Sequence, residues 1–138
     1  MKIDHTGYLV RDMEKALAQF EALGYTRDTD IIEDSATRNV ALCFLHNGAV
    51  RIELVSPLRN GRPSVVDATL QRQGDGPYHI CYQLEQPMED ALADLRRQGW
   101  LVVTPPEEAV AFGGRRVAFL FRLGVGLIEL VEADDETV

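Results

Sequence analysis

His5-Thr6-Gly7-Tyr8 opens one half of the chain and His79-Ile80-Cys81-Tyr82 opens the other, and both lead into the same series of signals. After the first come Met13-Glu14-Lys15-Ala16-Leu17-Ala18 and then Leu23-Gly24-Tyr25. After the second come Met88-Glu89-Asp90-Ala91-Leu92-Ala93 and then Gln98-Gly99-Trp100. Each half closes on a near-identical segment, Arg51-Ile52-Glu53-Leu54-Val55 and Leu127-Ile128-Glu129-Leu130-Val131. His5 precedes Glu53 by 48 positions and His79 precedes Glu129 by 50. One such match would mean little; four in the same order make the chain a duplicated module.

Working outward from these anchors gives the elements of each copy. Residues 3–10 mix β-branched, aromatic and apolar side chains and read as a strand. Asp12 is an N-cap, and Met13, Ala16, Leu17 and Phe20 recur at i, i+3, i+4 and i+7, one face of a helix that Gly24 stops. Strands are predicted over about residues 25–32, 39–45 and 50–56, the last two joined by an Asn-Gly hairpin at His46-Asn47-Gly48. The second copy repeats the order. A strand over 78–84 precedes a helix from Pro87 with Met88, Ala91, Leu92 and Leu95 on one face. Strands near 101–104, 116–121 and 126–131 follow. Between the copies, Ser64 with Asp67 resembles a capped start for a short helix ending near Arg72. The expectation is one α+β domain over residues 1–138. It comprises two tandem βαβββ modules, about 3–57 and 77–132, joined by a connector over 58–76. Their curled mixed sheets would frame a metal-binding cleft.

The repeated His and Glu carry the chemistry. Successive side chains of a strand alternate faces. Glu53 lies between Ile52 and Leu54, and Glu129 between Ile128 and Leu130. With the apolar neighbours turned toward the helices, each carboxylate points to the other, concave face. A carboxylate buried there is costly without a partner. A single His on a strand is more often a core or surface residue than a ligand, and a lone Glu between apolar neighbours can simply face solvent. Recurrence of the pair in both copies weakens that reading. His5, Glu53, His79 and Glu129 together suit a borderline-hard divalent ion with five or six ligands and open positions, not the closed thiolate site of structural zinc. His46, without a counterpart, reads as a surface residue. Cys81 shares the parity of His79 but reads as a small core filler. Arg115 and Arg116, after Gly113-Gly114, read equally as a solvated turn or as an anion contact.

Composition sets the outer bounds. Of 138 residues, 22 are acidic and 14 basic, for a net charge of -8, which argues against nucleic acid or an anionic membrane surface as partner. Cys43 and Cys81 form neither a finger spacing nor a disulfide framework, and no leader or membrane span is read, so a cytoplasmic protein is expected. The acidic run from Glu132 to Glu136 reads as a solvated end.

The repeat, its length and the His/Glu/His/Glu order resemble the vicinal oxygen chelate superfamily, which includes glyoxalase I, methylmalonyl-CoA epimerases, extradiol dioxygenases and the fosfomycin and bleomycin resistance proteins. The resemblance runs from Ile3 to Glu132. It is nearest to the epimerases. Glu53-Leu54-Val55-Ser56-Pro57-Leu58, Gly76-Pro77-Tyr78-His79-Ile80, Gly113 to Phe119 and Gly126 to Leu130 all follow their pattern. Two positions depart from it: Tyr78-His79 stands where the epimerases have a His pair, and Phe121-Arg122 where they have His-Pro.

The resemblance implies a glyoxalase-like fold, a homodimer, and a divalent ion (Co, Mn, Ni, Zn or Mg) on His5, Glu53, His79 and Glu129. It implies an isomerase that moves the proton α to a carbonyl or thioester, with Glu129 and Glu53 as the two candidates for the catalytic base and acid, in either order. The substrate would be a small molecule, an acyl-CoA by the epimerase likeness. A lyase of the glyoxalase I type and a non-catalytic antibiotic-binding protein of the same fold are the alternatives. A ring-cleaving dioxygenase fits less well, having one carboxylate in a longer chain.

Overall fold

A computed structural model describes residues 1–134, which hold nine strands and three α-helices and divide into two compact units. Of the acidic run predicted as a solvated end, Asp135 and Glu136 lie outside the described residues, and Glu132 is held by Arg116.

The unit His5–Tyr78 carries the first copy. Its strands are β1 (Lys2–Leu9), β2 (Thr26–Arg27), β3 (Ile32–Asp34), β4 (Val40–Asn47) and β5 (Val50–Pro57), in the order β2-β4-β5-β1 with β3 also on β4. β1 and β5 run parallel and the other pairs antiparallel, so the sheet is mixed. Helix α1 (Met13–Ala22) supplies the crossover between parallel neighbours. Its start follows the sequence signal: the Asp12 carboxylate accepts from the Lys15 amide at 3.1 Å. Met13, Ala16 and Leu17 pack on Ala41, Cys43, Leu45, Ile52 and Leu54, and full burial of each Leu contributes roughly 1.5–3 kcal/mol. Phe20 stands edge-on between Tyr8 and Tyr25 at 5.1 and 5.2 Å. In the connector, α2 (Asp67–Gln73) begins where Ser64 donates its amide to the Asp67 carboxylate at 2.8 Å, one half of the predicted capping box.

The second unit joins the described residues from His79 onward to Met1–Asp4. Its strands β6 (Gly76–Gln83), β7 (Leu101–Glu108), β8 (Arg116–Arg122) and β9 (Gly126–Val131) take the order β6-β9-β8-β7, and α3 (Met88–Arg97) is the crossover. β6 and β9 are parallel. Met88, Ala91 and Leu92 pack on Ala118, Leu120, Ile128 and Leu130, repeating the first unit's core.

Three local readings are corrected. The strand predicted over 25–32 is two short ones, β2 and β3. Between them the Thr29 hydroxyl, in place of a backbone carbonyl, accepts from the Phe44 amide at 3.2 Å, which interrupts the ladder. The hairpin turn is Gly48-Ala49 rather than Asn47-Gly48: Asn47 pairs with Val50, and Gly48 alone of the two takes a positive φ of 60°. β7 runs past residue 104 to Glu108. Pro105 and Pro106 are tolerated because β7 is an edge strand, and its pairing with β8 shifts register there. A short 3₁₀ turn, Val110–Phe112, was not foreseen.

Candidate metal centre

The register of each sheet decides which side chains share a face. In the first unit Glu53 lies beside Gly7 on β1 and opposite Phe44 on β4, and His5, two residues before Gly7, falls on the same face. Nε2 of His5 stands 3.5 Å from Oε1 of Glu53, with side chains 0% and 8% exposed. Phe44 meets the imidazole edge-on, 5.2 Å between ring centres.

The second unit repeats the arrangement. Glu129 lies beside Cys81 on β6 and opposite Phe119 on β8, and His79 precedes Cys81 by two residues. Nε2 of His79 is 3.2 Å from Oε1 of Glu129, and Phe119 is edge-on to the imidazole at 5.4 Å. Both members of the pair are buried, at 4% and 5% exposure.

The donor chemistry fits a divalent cation. Each pair offers one imidazole nitrogen and one carboxylate oxygen of the kind that holds a metal. The imidazole nitrogen and carboxylate oxygen stand 3.5 Å apart in one pair and 3.2 Å in the other, close enough for each pair to share one ion. A carboxylate taken out of water is costly without a cation or a hydrogen-bond donor beside it.

The other residues singled out fall as follows. Cys81 is fully buried and shares the face of Glu129. Cys43 is fully buried in the helix-side core, where burial raises its thiol above the usual range and keeps it protonated and inert. His46, read as a surface residue, is partly exposed on the Glu53 face and pairs with Asp28. Arg115 and Arg116 do structural work. Arg115 donates to the Glu132 carbonyl at 2.9 Å and to the Phe112 carbonyl at 3.4 Å. Arg116, the first residue of β8, bonds the carboxylate of Glu132 at 2.9 Å and that of Glu89 at 2.7 Å, and its guanidinium holds both below the usual carboxylate range. Arg122 projects from the face opposite Glu129 and lies over Gly99, where φ is +94° and an added Cβ would fall 2.0 Å from Nη1. This departure from the epimerase pattern is thus turned away from the metal-ligand face, whereas Phe121 shares that face.

Sequence reasoning missed Phe44 and Phe119. The signal was present: Cys43-Phe44-Leu45 and Ala118-Phe119-Leu120 precede their glutamates by 9 and 10 residues. It also missed Asp28 and Arg51, whose roles depend on strand pairing.

Among the described residues, no helix is long and apolar enough to cross a membrane. No curated protein matches the sequence. Among solved structures, a hypothetical protein from Bacillus halodurans C-125 is 25% identical, covers 97% of this chain and 95% of its own, and superposes with a TM-score of 0.81. Methylmalonyl-CoA epimerase from Mycobacterium tuberculosis is 23% identical over 99% of this chain and 90% of its own, TM-score 0.79. A variant of the Streptomyces coelicolor methylmalonyl-CoA epimerase, in complex with 2-nitronate-propionyl-CoA, is 24% identical over 98% and 96%, TM-score 0.80. The fold is therefore the α+β, glyoxalase-like one. The profile of the Glyoxalase/Bleomycin resistance protein/Dioxygenase superfamily matches residues 4–119, and the chain belongs to that superfamily.

Proposed function

We propose that this protein is a divalent-metal-dependent isomerase that moves the proton α to a carbonyl or thioester, on an acyl-CoA substrate of the methylmalonyl-CoA kind. His5, Glu53, His79 and Glu129 form its single ligand set, residues 1–138 act as one functional domain, and the working form is a cytoplasmic homodimer. The observation that carries the reading is the duplicated geometry: each unit buries the same His–Glu pair with the same aromatic edge-on to the imidazole. The fold shared with methylmalonyl-CoA epimerases supports it.

A divalent ion held by these residues supplies Lewis-acid stabilisation of the charge that develops on the substrate carbonyl oxygen as the α-proton leaves. The remaining work falls to the chain. Each carboxylate has two oxygens, so one can serve as a ligand while the other exchanges a proton. Glu129, unprotonated, takes the α-proton from one side of the carbon. Glu53, protonated, returns one from the other, so the chain gains and loses one proton per turnover. The exchange of roles between two copies of one unit suits a reaction whose product is the mirror configuration at one carbon. His5 and His79 hold the carboxylates in place, and Phe44 and Phe119 keep water from the imidazoles.

The test is mass spectrometry of methylmalonyl-CoA incubated with the protein in D₂O, with Co²⁺ or Mn²⁺ and with a chelator. Metal-dependent deuterium uptake at the α-carbon is the expected result. No uptake with one metal bound per chain would reject this substrate, and no uptake without bound metal would reject the isomerase reading. Formation of lactoylglutathione, with no exchange on the acyl-CoA, would assign the lyase activity instead.

A further inference from the structure

Each ligand histidine begins a row of side chains that runs across its own sheet, and the two rows differ in character. In the second unit Ile80 pairs with Ile128, so His79 and Leu127 come level one step back along both strands. Leu127 pairs with Phe121 on β8, and Phe121 with Leu101 on β7. Paired residues rise from one face, and Phe119 with Glu129 is the next pair on that face. The row Leu127, Phe121, Leu101 therefore lies on the metal-ligand side of the sheet. Strands about 4.8 Å apart make it about 10 Å long, and it runs about 7 Å from the row of Glu129. Exposure rises along it: His79 is 4% exposed, Leu127 half-buried, Phe121 41% and Leu101 64% exposed.

In the first unit Thr6 pairs with Ile52, so His5 comes level with Arg51, which pairs with His46, which pairs with Thr26. That row is polar and satisfies its own charges: one oxygen of Asp28 stands 3.6 Å from Nε of Arg51, and the other contacts Nδ1 of His46. Carbon surface has no such way to close on itself; it is stabilised only by being covered. The helix-side core does not cover this row, because Met88, Ala91 and Leu92 pack on Ala118, Leu120, Ile128 and Leu130, the residues of opposite parity. Where the row ends says what does. It ends on His79, whose Nε2 is 3.2 Å from Oε1 of Glu129, so an apolar group laid along the row is joined to whatever that pair holds. Phe121 is also the departure from the epimerase pattern that stays on this face.

We propose that Leu127, Phe121 and Leu101 form a subsite for an alkyl or aryl group of the substrate, about six carbons to match the length of the row, with Phe121 as its specificity-determining residue. The chelating end of the substrate lies at the His79–Glu129 pair and the far end of the apolar group at Leu101, in water. Affinity comes from carbon surface removed from water and from the large, rigid ring of Phe121. This rests on the functional reading above for a metal at the pair. It deepens that reading by naming an apolar group larger than the methyl of methylmalonyl-CoA.

Hydroxamic acids supply the probe, because their two oxygens chelate a divalent ion whatever the tail. Acetohydroxamate and hexanohydroxamate differ only in tail length. Binding of each to the full, Co²⁺-loaded chain is read by calorimetry, with metal content and sedimentation measured for every variant. A buried methylene is worth about fourfold in affinity, so the wild type should favour hexanohydroxamate by about 10- to 100-fold. Phe121→Thr, which keeps a strand-forming residue, should lower that ratio at least about fivefold. Leu101→Thr, at the exposed end of the row, should lower it less, and it decides the matter should the Phe121 variant fail to melt cooperatively. His46→Ser, at the matching place in the polar row, should leave the ratio as it is in the wild type. A ratio near one in the wild type, a ratio untouched by both row variants, or an equal fall in His46→Ser overturns the proposal. So does dissociation of a dimer in Phe121→Thr with the ratio intact, which would make the row a contact between two copies of the chain. Deuterium exchange on methylmalonyl-CoA separates this inference from the reading beneath it. A Phe121-dependent ratio without exchange sinks the isomerase reading and keeps the subsite; exchange with a ratio indifferent to Phe121 and Leu101 does the reverse. A chain that binds neither Co²⁺ nor either hydroxamate overturns both.

Discussion

Glu53 and Glu129 are each 5–6% exposed, an environment no carboxylate occupies without an imidazole, a cation or a proton beside it. Replacing Glu129 with Gln preserves shape and removes the proton acceptor. Deuterium uptake by methylmalonyl-CoA should then fall at least about 100-fold, the usual worth of a positioned general base. Uptake at the wild-type rate would remove Glu129 from the mechanism. Phe44 is a different kind of residue: 1% exposed, its ring meets both His5 and Arg51. Phe44→Ala should lower stability by about 3–5 kcal/mol in urea titration, the cost of an emptied aromatic site. A loss below about 1 kcal/mol would mean that the ring is not packed as described.

At the scale of elements, α1 depends on its cap and β8 on its charges. Asp12→Ala should cost about 1 kcal/mol, seen as a lower urea midpoint with an unchanged slope. Arg116 ties the start of β8 to Glu132 after β9 and to Glu89 in the first turn of α3. Both carboxylates are held below their ordinary value of 4.5, chiefly by hydrogen bonds from Arg116. A depressed carboxylate stabilises the fold above its ordinary value and loses that contribution as pH falls through the native one. Arg116→Met should therefore melt lower at pH 7, with the gap to wild type closing as pH falls below 4.5. A gap independent of pH would assign the loss to packing of the arginine stem instead.

For the whole molecule the proposed quartet makes a stoichiometric claim. One ion on four ligands predicts one Co²⁺ per chain by elemental analysis. It also predicts that His5→Ala and His79→Ala each abolish binding. Two independent His–Glu sites would instead give two ions per chain and leave one after either substitution. A ligand that binds only the folded state stabilises it by mass action, about 2.7 kcal/mol at 100 times Kd, so chelation should lower the melting temperature of the loaded protein and added Co²⁺ should restore it.

The duplicated order of His, helix, Gly and Glu determined the architecture, because periods of 2 and 3.6 are local properties of a chain and a repeat states them twice. It also determined that Glu53 and Glu129 leave the helix-side core, since alternation along a strand needs no knowledge of the neighbouring strand. The neighbour decided the rest. Residues 25–32 have a strand's composition, yet the Thr29 hydroxyl takes the Phe44 amide and divides them. Pro105 and Pro106 argue against a strand until β7 is known to lie at a sheet edge. Arg122, which departs from the epimerase pattern, is seen to turn away from the metal-ligand face only when the register places it over Gly99. Phe44 on His5, and Arg51 between Phe44 and Asp28, join residues from different strands. Which side chains meet across a sheet is set by register, and register is a property of two strands together, written in neither one alone.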